Sequence, residues 1–209
     1  MQEVRDRRAS RWDAHRRTRR AELTDAAIAA IREHGASAGM DDVAAAASTS
    51  KTAVYRHFAD RNQLYVAVCE RVAEVLLGQV RAAMDGAAGP GAKTAAAIAA
   101  YLRLIEHDPE VYRFVMHRPL ADADLVADLV SLIGDQVAEV IAEQLTAAGS
   151  DPAPAVPWGH GVVGMVRSAA DNWITRPAGM SRDQLADHLT DLAWAGLSGV
   201  VARTEEETS

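Results

Sequence analysis

The fold is decided by one stretch, Ser48-Thr49-Ser50-Lys51-Thr52-Ala53-Val54-Tyr55-Arg56-His57-Phe58. Three small hydroxyl-bearing residues open it, and such residues favour a tight turn followed by a helix N-cap. Val54 and Phe58 are four residues apart, so on a helix they share one face that can pack on a small core. The remaining side chains are mostly polar or basic and can contact phosphates or the edges of bases. The stretch therefore predicts a short helix that displays a nucleic-acid-binding face.

A second short helix is expected directly upstream, over Met40–Ala47. Asp41 and Asp42 stand in its first turn, where the helix dipole favours negative charge. Two short helices, a tight turn between them and a polar, basic second helix together make a helix-turn-helix. The pattern therefore predicts a DNA-binding unit in the first third of the chain.

The run from Val43 to Val68, VAAAASTSKTAVYRHFADRNQLYVAV, resembles the DNA-binding segment of the TetR family of bacterial transcriptional repressors. The resemblance rests on the Tyr-Arg-His-Phe step at 55–58, the acidic-basic pair Asp60-Arg61 and the following Leu64-Tyr65. It implies an all-α homodimer with an N-terminal three-helix helix-turn-helix head and a C-terminal helical body for ligand binding and dimerisation. Ser48 stands where the family usually has Gly, and an altered turn is expected because Ser adopts positive φ less readily.

Charge is distributed unevenly along the 209 residues. The net charge of −7 by itself argues against a nucleic-acid binder, yet residues 1–60 hold eleven Arg or Lys against nine Asp or Glu. Residues 1–20 alone hold eight Arg and three acidic residues. The Ala-rich composition, with few aromatic residues, favours helices nearly throughout. A basic tip on an acidic helical body is the pattern expected of a regulator that touches DNA at one end.

Composition also restricts location and redox chemistry. Cys69 is the only cysteine, so no intrachain disulfide can form, and its apolar surroundings indicate a buried thiol. The Arg-rich N-terminus lacks the apolar core of a secretory signal, and no apolar run approaches 18 residues. A cytoplasmic location is expected.

The pattern predicts three regions: a basic arm at 1–18, a helix-turn-helix domain at 19–62 and a ligand-binding and dimerisation domain at 63–209. Residues 1–17 lack an apolar stripe and are expected to form a mobile arm, either a solvated tail or one that reaches DNA. Seven further helices are expected, over 19–34, about 60–84, 94–107, 109–118, 122–148, 157–175 and 181–202. Their boundaries rest on caps, prolines and glycines.

The last two expected helices are rich in glycine, which costs about 1 kcal/mol relative to Ala in a helix. Gly161, Gly164 and Gly196 are among these positions. A close helix contact is expected to compensate, and two helices from each of two copies would form a four-helix bundle. Burial within one copy is the alternative, and the family resemblance favours the homodimer.

A second reading comes from Gly159-His160-Gly161-Val162-Val163-Gly164, which spells G-x-G-x-x-G. A dinucleotide site needs a preceding strand and a βαβ unit, whereas a proline-rich segment precedes this run. A helical nucleotide- or cofactor-binding protein that uses Gly159–Gly164 is therefore kept only as an alternative. A second alternative is a helical adaptor that has the same fold but responds to a protein partner rather than a small molecule. No spacing typical of zinc ligands or of a nucleophile elbow is present, so neither an enzyme nor a metal or cofactor site is expected.

The DNA-binding residues are expected on the second helix of the motif and its turn. Lys51 and Arg56 would bring charge to phosphates, and by resemblance to the family Tyr55 and His57 contact the phosphate backbone. The short side chains would let the helix enter the major groove and read base edges. The full predicted set is Thr49, Ser50, Lys51, Thr52, Ala53, Tyr55, Arg56 and His57.

A pocket for a small effector is implied by the family resemblance to lie among the middle helices. Aromatic and apolar residues there suit a hydrophobic ligand, although any one of them can equally be an ordinary core residue. His117 and Asn172 are polar positions on otherwise apolar stretches. The predicted set is Tyr101, Ile105, Phe114, His117, Met165, Asn172 and Trp173.

Overall fold

The computed structural model describes residues 2–117, 123–176 and 179–207, with side chains described over 14–116, 127–128, 130–176 and 179–196. Within those residues the chain is helical, without a β-strand, so the all-α prediction is confirmed. A single 3₁₀ turn, Gly35–Ser37, follows the first helix. The α-helices are α1 Gln2–His34, α2 Met40–Ala46, α3 Lys51–Tyr55, α4 Arg61–Asp85, α5 Pro90–His107, α6 Pro109–His117, α7 Ala123–Ala147, α8 Ala155–Thr175 and α9 Arg182–Glu207.

The helices fall into two compact units, and the division lies within α4. We call the first the head unit: α1, α2, α3, the first half of α4 to Ala73, and α6 from Glu110. We call the second the body unit: the rest of α4, with α5, α7, α8 and α9. The boundary expected at residue 62 stays a prediction.

The first helix, expected over 19–34, is longer, because α1 begins at Gln2 and runs unbroken to His34. Residues 2–17 therefore continue this helix, and their mobility and contact with DNA stay predictions. The segment before residue 19 contains neither Gly nor Pro, and its frequent Arg is a strong helix former. A missing apolar stripe shows that a segment has nothing to pack against. It does not show that the segment lacks helical structure.

Two helix starts and one helix end differ from the sequence expectations by a few residues. Helix α5 begins at Pro90 rather than Thr94, because Pro fits the first turn of a helix, where its missing N–H is not needed. Helix α8 begins at Ala155 and includes Pro157 in its first turn for the same reason. Helix α9 continues to Glu207 instead of ending at Ala202.

The head unit is held together by a small apolar core to which every one of its helices contributes. Val54 and Phe58 are fully buried in it, as the four-residue spacing predicts. Tyr65 of α4 donates a hydrogen bond from its hydroxyl to the carbonyl of Val115 on α6 at 3.0 Å. Its ring lies 5.6 Å from that of Phe114. Other buried members are Leu23, Ala27, Ile31, Val43, Leu64 and Val68.

In the body unit α7 packs along α8, and α5 packs against α9 and α8. The α7–α8 approach is close at Gly159, where an added Cβ would lie 2.6 Å from the carbonyl oxygen of Gly134 and from the amide nitrogen of Ala138. His160 pairs with Asp135 of α7 at 2.9 Å beside this crossing. Gly159 therefore serves a helix contact inside one copy of the chain.

Candidate nucleic-acid interface

The turn between α2 and α3 is built from backbone hydrogen bonds at the end of α2. The amide of Ser48 donates to the carbonyl of Ala45 at 3.0 Å, and the amide of Thr49 donates to that of Ala44 at 2.9 Å. This is the Schellman arrangement, which needs a left-handed residue just past the helix end. Ser48 supplies it with φ of +49°. The expected alteration of the turn is therefore not found, because Ser adopts the conformation that Gly would.

Helix α3 starts where the hydroxyl-bearing residues predict. The Ser50 side chain accepts a hydrogen bond from the amide of Ala53 at 3.2 Å, which satisfies one of the unpaired donors of the first turn. Val54 and Phe58 turn into the core, while Tyr55 on the opposite side keeps 45% of its surface exposed. The helix is thus seated by one face and displays the other to solvent.

Lys51 is engaged at the start of α3. Its Nζ lies 2.7 Å from Oδ2 of Asp41, a residue of α2's first turn, and both side chains are exposed. The hydrogen bond to Asp41 and its negative charge raise the pKa of Lys51 above the ordinary lysine value. The lysine therefore stays positively charged, and it can shift from Asp41 to a phosphate by rotating its side chain.

The other end of α3 is held by α1. Arg20 donates from Nη1 to the carbonyl oxygen of His57 at 2.6 Å, and its guanidinium lies 4.3 Å from the centroid of the Phe58 ring. Burial lowers the pKa of His57, and the positive charges of Arg19, Arg16, Arg20 and His15 lower it further. The neutral imidazole is thereby favoured in the free protein.

The structure brings all eight predicted DNA-contacting residues onto one connected surface formed by the turn, α3 and the two residues after it. Ser50, Lys51, Thr52, Tyr55 and Arg56 are exposed there, while three others are half-buried: Thr49, Ala53 and His57. Contact with DNA by each of them stays a prediction.

Sequence reasoning missed the side chains that hold this surface in place. Arg61 at the start of α4 donates to the carbonyl of Ala38 at 2.6 Å, which ties α4 to the segment before α2. Arg20 is one of eight arginines in the first twenty residues, and nothing in the local sequence marks it as the one beneath α3. The ion pair of Asp41 with Lys51 spans ten residues and leaves no helical spacing signal.

The predicted effector residues lie in different parts of the structure. Ile105 is buried and Tyr101 half-buried on α5, and Met165 and Trp173 are half-buried on α8, all in the body unit. The Trp173 indole donates to the carbonyl of Met180 at 2.8 Å. Two other residues of the predicted set have different surroundings. Asn172 is exposed, and Phe114 is a core residue of the head unit. The side chain of His117 lies outside the described residues.

The glycine-rich hexapeptide at 159–164 does not have the surroundings of a dinucleotide site. It lies within α8, after the first turn of that helix, and no strand occurs in the described part of the chain. The same described residues contain no group of three or more His, Cys, Asp or Glu side chains arranged to hold a metal ion. None of the described helices combines the length and apolarity needed to cross a bilayer.

Comparison with known families assigns both halves of the chain. Residues 23–68 match the model described as bacterial regulatory proteins of the tetR family. Residues 79–208 match the model of the tetracyclin repressor-like C-terminal domain. The first match contains α2, the turn and α3, and the second spans most of the body unit.

Individual relatives agree with that assignment. The HTH-type transcriptional regulator Rv0472c of Mycobacterium tuberculosis is 37% identical over 198 residues, which cover 94% of this chain and 84% of the relative. The repressor LfrR of Mycolicibacterium smegmatis is 30% identical over 190 residues, covering 88% of this chain and 92% of LfrR. The activator FasR of the same species is 28% identical over 184 residues, which cover 87% of this chain and 84% of FasR.

A solved structure of LfrR in complex with proflavine superposes with a TM-score of 0.59 at 25% identity, covering 85% of this chain and 95% of LfrR. Fold, motif and relatives thus agree over nearly the whole chain. The protein belongs to the TetR family of bacterial transcriptional regulators.

Proposed function

We propose that the protein is a homodimeric repressor that binds a palindromic operator through α2 and α3 and is released by a small apolar effector. The observation that carries this proposal is the seating of α3, with Val54 and Phe58 fully buried and Lys51, Thr52 and Tyr55 on the solvent side. A helix held by one face with polar and basic groups on the other is suited to the major groove.

The residues of α3 divide into two roles on DNA. Lys51 and Arg56 supply charge to phosphates and Tyr55 a phenolic hydroxyl, and such contacts set the position of the helix without reading sequence. Thr52 and Ala53 are short enough to approach base edges, where a methyl group can meet thymine. In a two-fold symmetric dimer the two helices would enter successive major grooves about 34–36 Å apart, so the operator is expected to be an inverted repeat.

Glycines on α8 and α9 support dimerisation through these helices. A Cβ added at Gly161, Gly164 or Gly196 would meet no atom within 4 Å in a single copy, in contrast to Gly159. Leu192 of α9 is 60% exposed and Trp194 is 41% exposed. A second copy laid against these helices would bury that apolar surface and use the open space beside the glycines.

An apolar effector is supported by the body-unit residues Tyr101, Ile105, Met165 and Trp173, which bring aromatic rings, a thioether and an aliphatic side chain to α5 and α8. The proflavine complex of LfrR supports an aromatic ligand class. Repression is proposed over activation because LfrR is a repressor, although FasR, covering a similar share of the chain, is an activator. A cytoplasmic location follows from the same proposal.

The experiment is selection of a DNA site from random duplexes by the purified full chain. Two inverted half-sites should be enriched, and Tyr55→Ala should bind the selected duplex weakly. Arg103→Gln, an exposed substitution on α5 in the body unit, should bind that duplex as the wild type does. A library with no enriched sequence would refute operator binding, and enrichment of an unrepeated site would refute the dimer. Compounds are then screened for release of the selected duplex, with proflavine as the first probe.

A further inference from the structure

Arg167 of α8 carries a charge that no described residue of the body unit neutralises. The side chain is half-buried, and its Nε is shielded from solvent without a hydrogen-bond acceptor in reach. Asp171 follows four residues later, a spacing at which ion pairs form on a helix, yet no ion pair joins the two side chains. No other acidic group among the described side chains pairs with Arg167. A guanidinium stays protonated in proteins, so this positive charge is left without a counter-charge there.

The other arginines described in the body unit each have a partner or water for their charge. Arg182 of α9 donates from Nη1 to Oε2 of Glu106 on α5 at 2.9 Å. Three more are exposed to solvent: Arg81, Arg103 and Arg176. Removing a charged donor from water without giving it a partner destabilises the folded chain. Arg167 is therefore the arginine of this unit whose environment is explained by a partner that comes from outside the chain.

Arg167 has apolar neighbours on α8. Val163 stands four residues before it, Ala170 three after and Ile174 seven after, so all three lie towards the same side of the helix. Ala170 is fully buried, and the two larger side chains are half-buried. A cation beside apolar side chains suits a molecule that has a negatively charged group and an apolar part.

We propose that the effector is an amphiphile with an acidic head group, whose carboxylate pairs with Arg167 while its apolar part packs on apolar side chains of the body unit. The inference rests on the proposed function, because it names the chemical class of the effector proposed there. A carboxylate accepts two parallel N–H bonds from a guanidinium, and such pairs are short and strong. Because Nε of Arg167 is shielded from solvent in one copy of the chain, an acceptor that reaches it lies within the body unit rather than on its outer surface.

The charge of Arg167 discriminates between ligands of similar size. An acid gains the charged hydrogen bonds, whereas an alcohol with the same hydrocarbon chain keeps only the apolar contacts. A cation such as proflavine is repelled. Losing a hydrogen bond to a charged group lowers affinity by about 10- to 100-fold, so decanoate should bind more tightly than decanol by at least about tenfold.

The test is isothermal titration calorimetry of decanoate and decanol, below their micellar concentrations, with the full chain in the absence of DNA. Wild type should show the preference of about tenfold or more for the acid. Arg167→Gln should lose that preference, keep its affinity for decanol and bind proflavine more tightly than wild type. Arg103→Gln, which removes an exposed charge from α5, should bind both compounds as wild type does.

Two controls separate contact with the ligand from a structural role of Arg167. The Nε–H resonance of Arg167, assigned by its absence from the NMR spectrum of Arg167→Gln, should shift with decanoate and stay in place with decanol. Circular dichroism checks that the variant is folded. If it is not, Arg167→Lys takes its place, and it should weaken the acid preference because it keeps the charge but lacks the two parallel donors.

Several results would overturn the inference while leaving DNA binding in place. They are equal affinity of wild type for the acid and the alcohol, no binding of decanoate, and an unaltered acid preference in the folded Arg167 variant. A weaker dimer in sedimentation, with unaltered ligand affinities, would assign Arg167 to the subunit interface instead. Failure of the wild-type chain to enrich any duplex would refute the proposed function, which is a separate measurement. Release of the selected duplex by decanoate from wild type, at lower concentrations than from Arg167→Gln, would support the inference.

Discussion

Ser48 is held in a conformation that its side chain disfavours, and replacing it should therefore stabilise the head unit. Its φ of +49° lies in the left-handed region, and it is the only described residue other than glycine with positive φ. The two hydrogen bonds of the turn, from the amides of Ser48 and Thr49, depend on that conformation. Ser48→Gly should keep both bonds and remove the strain.

The expected gain is the difference between two opposing contributions. A left-handed conformation costs a residue with a Cβ about 1–2 kcal/mol, and Gly avoids this. Gly in turn loses more chain entropy on folding, by about 0.5–1 kcal/mol. The net increase in the free energy of unfolding is therefore about 0.5–1 kcal/mol, which raises the melting temperature by about 1–4 °C for a chain of this size.

A series of four proteins isolates the backbone effect, because Ser48 is exposed and makes no apolar core contact. In chemical denaturation, Ser48→Gly should have a higher free energy of unfolding than wild type, and Ser48→Ala should lie within a few tenths of a kcal/mol of wild type. Ser48→Val should have a lower free energy of unfolding than wild type and Ser48→Ala. Ala is the matched control, since it removes the hydroxyl but keeps the Cβ. If the Ser48→Gly protein were no more stable than the Ser48→Ala protein, the claim that the backbone is strained at this turn would be refuted.

Three other substitutions test contacts in the two units. Tyr65→Phe removes the buried hydroxyl that donates to α6 and should lower the free energy of unfolding by about 1 kcal/mol in a urea titration. Gly159→Ala should destabilise the chain by about 1–3 kcal/mol, because the new methyl group would overlap the α7 backbone, whereas Gly161→Ala meets open space and should leave the chain folded. Asp41→Asn frees Lys51 from its ion pair and should tighten DNA binding several-fold with a steeper salt dependence; weaker binding would contradict that role.

Local signals in the sequence were sufficient to predict the starts of α3, α4 and α9. Ser50 caps α3, and Asp60 accepts from the amide of Gln63 at 2.8 Å to open α4. Ser181 and Gln184 form the reciprocal cap that opens α9. These contacts join residues only three apart, so they are determined by the local backbone and can be read from the sequence.

The contacts that assemble the head unit could not be read in the same way. The hydroxyl of Tyr65 reaches α6 across fifty residues, and Arg20 reaches the end of α3 across thirty-seven. Neither distance along the chain matches a helical or strand period. The sequence shows that Phe114 is apolar but does not show its contact with Tyr65, so it cannot distinguish a core position from a pocket position there.

Helix α3 has only five residues, and a helix so short is not stable by itself in water. The helix is held in position by contacts at its two ends and on its buried side. Ser50 caps one end, Arg20 donates to the carbonyl of His57 at the other, and Val54 is buried between them. Thr52 on the solvent side contributes to none of these contacts. The residues that hold the helix are thus separate from those that meet bases, so base preference can change within this family while the fold of the head stays the same.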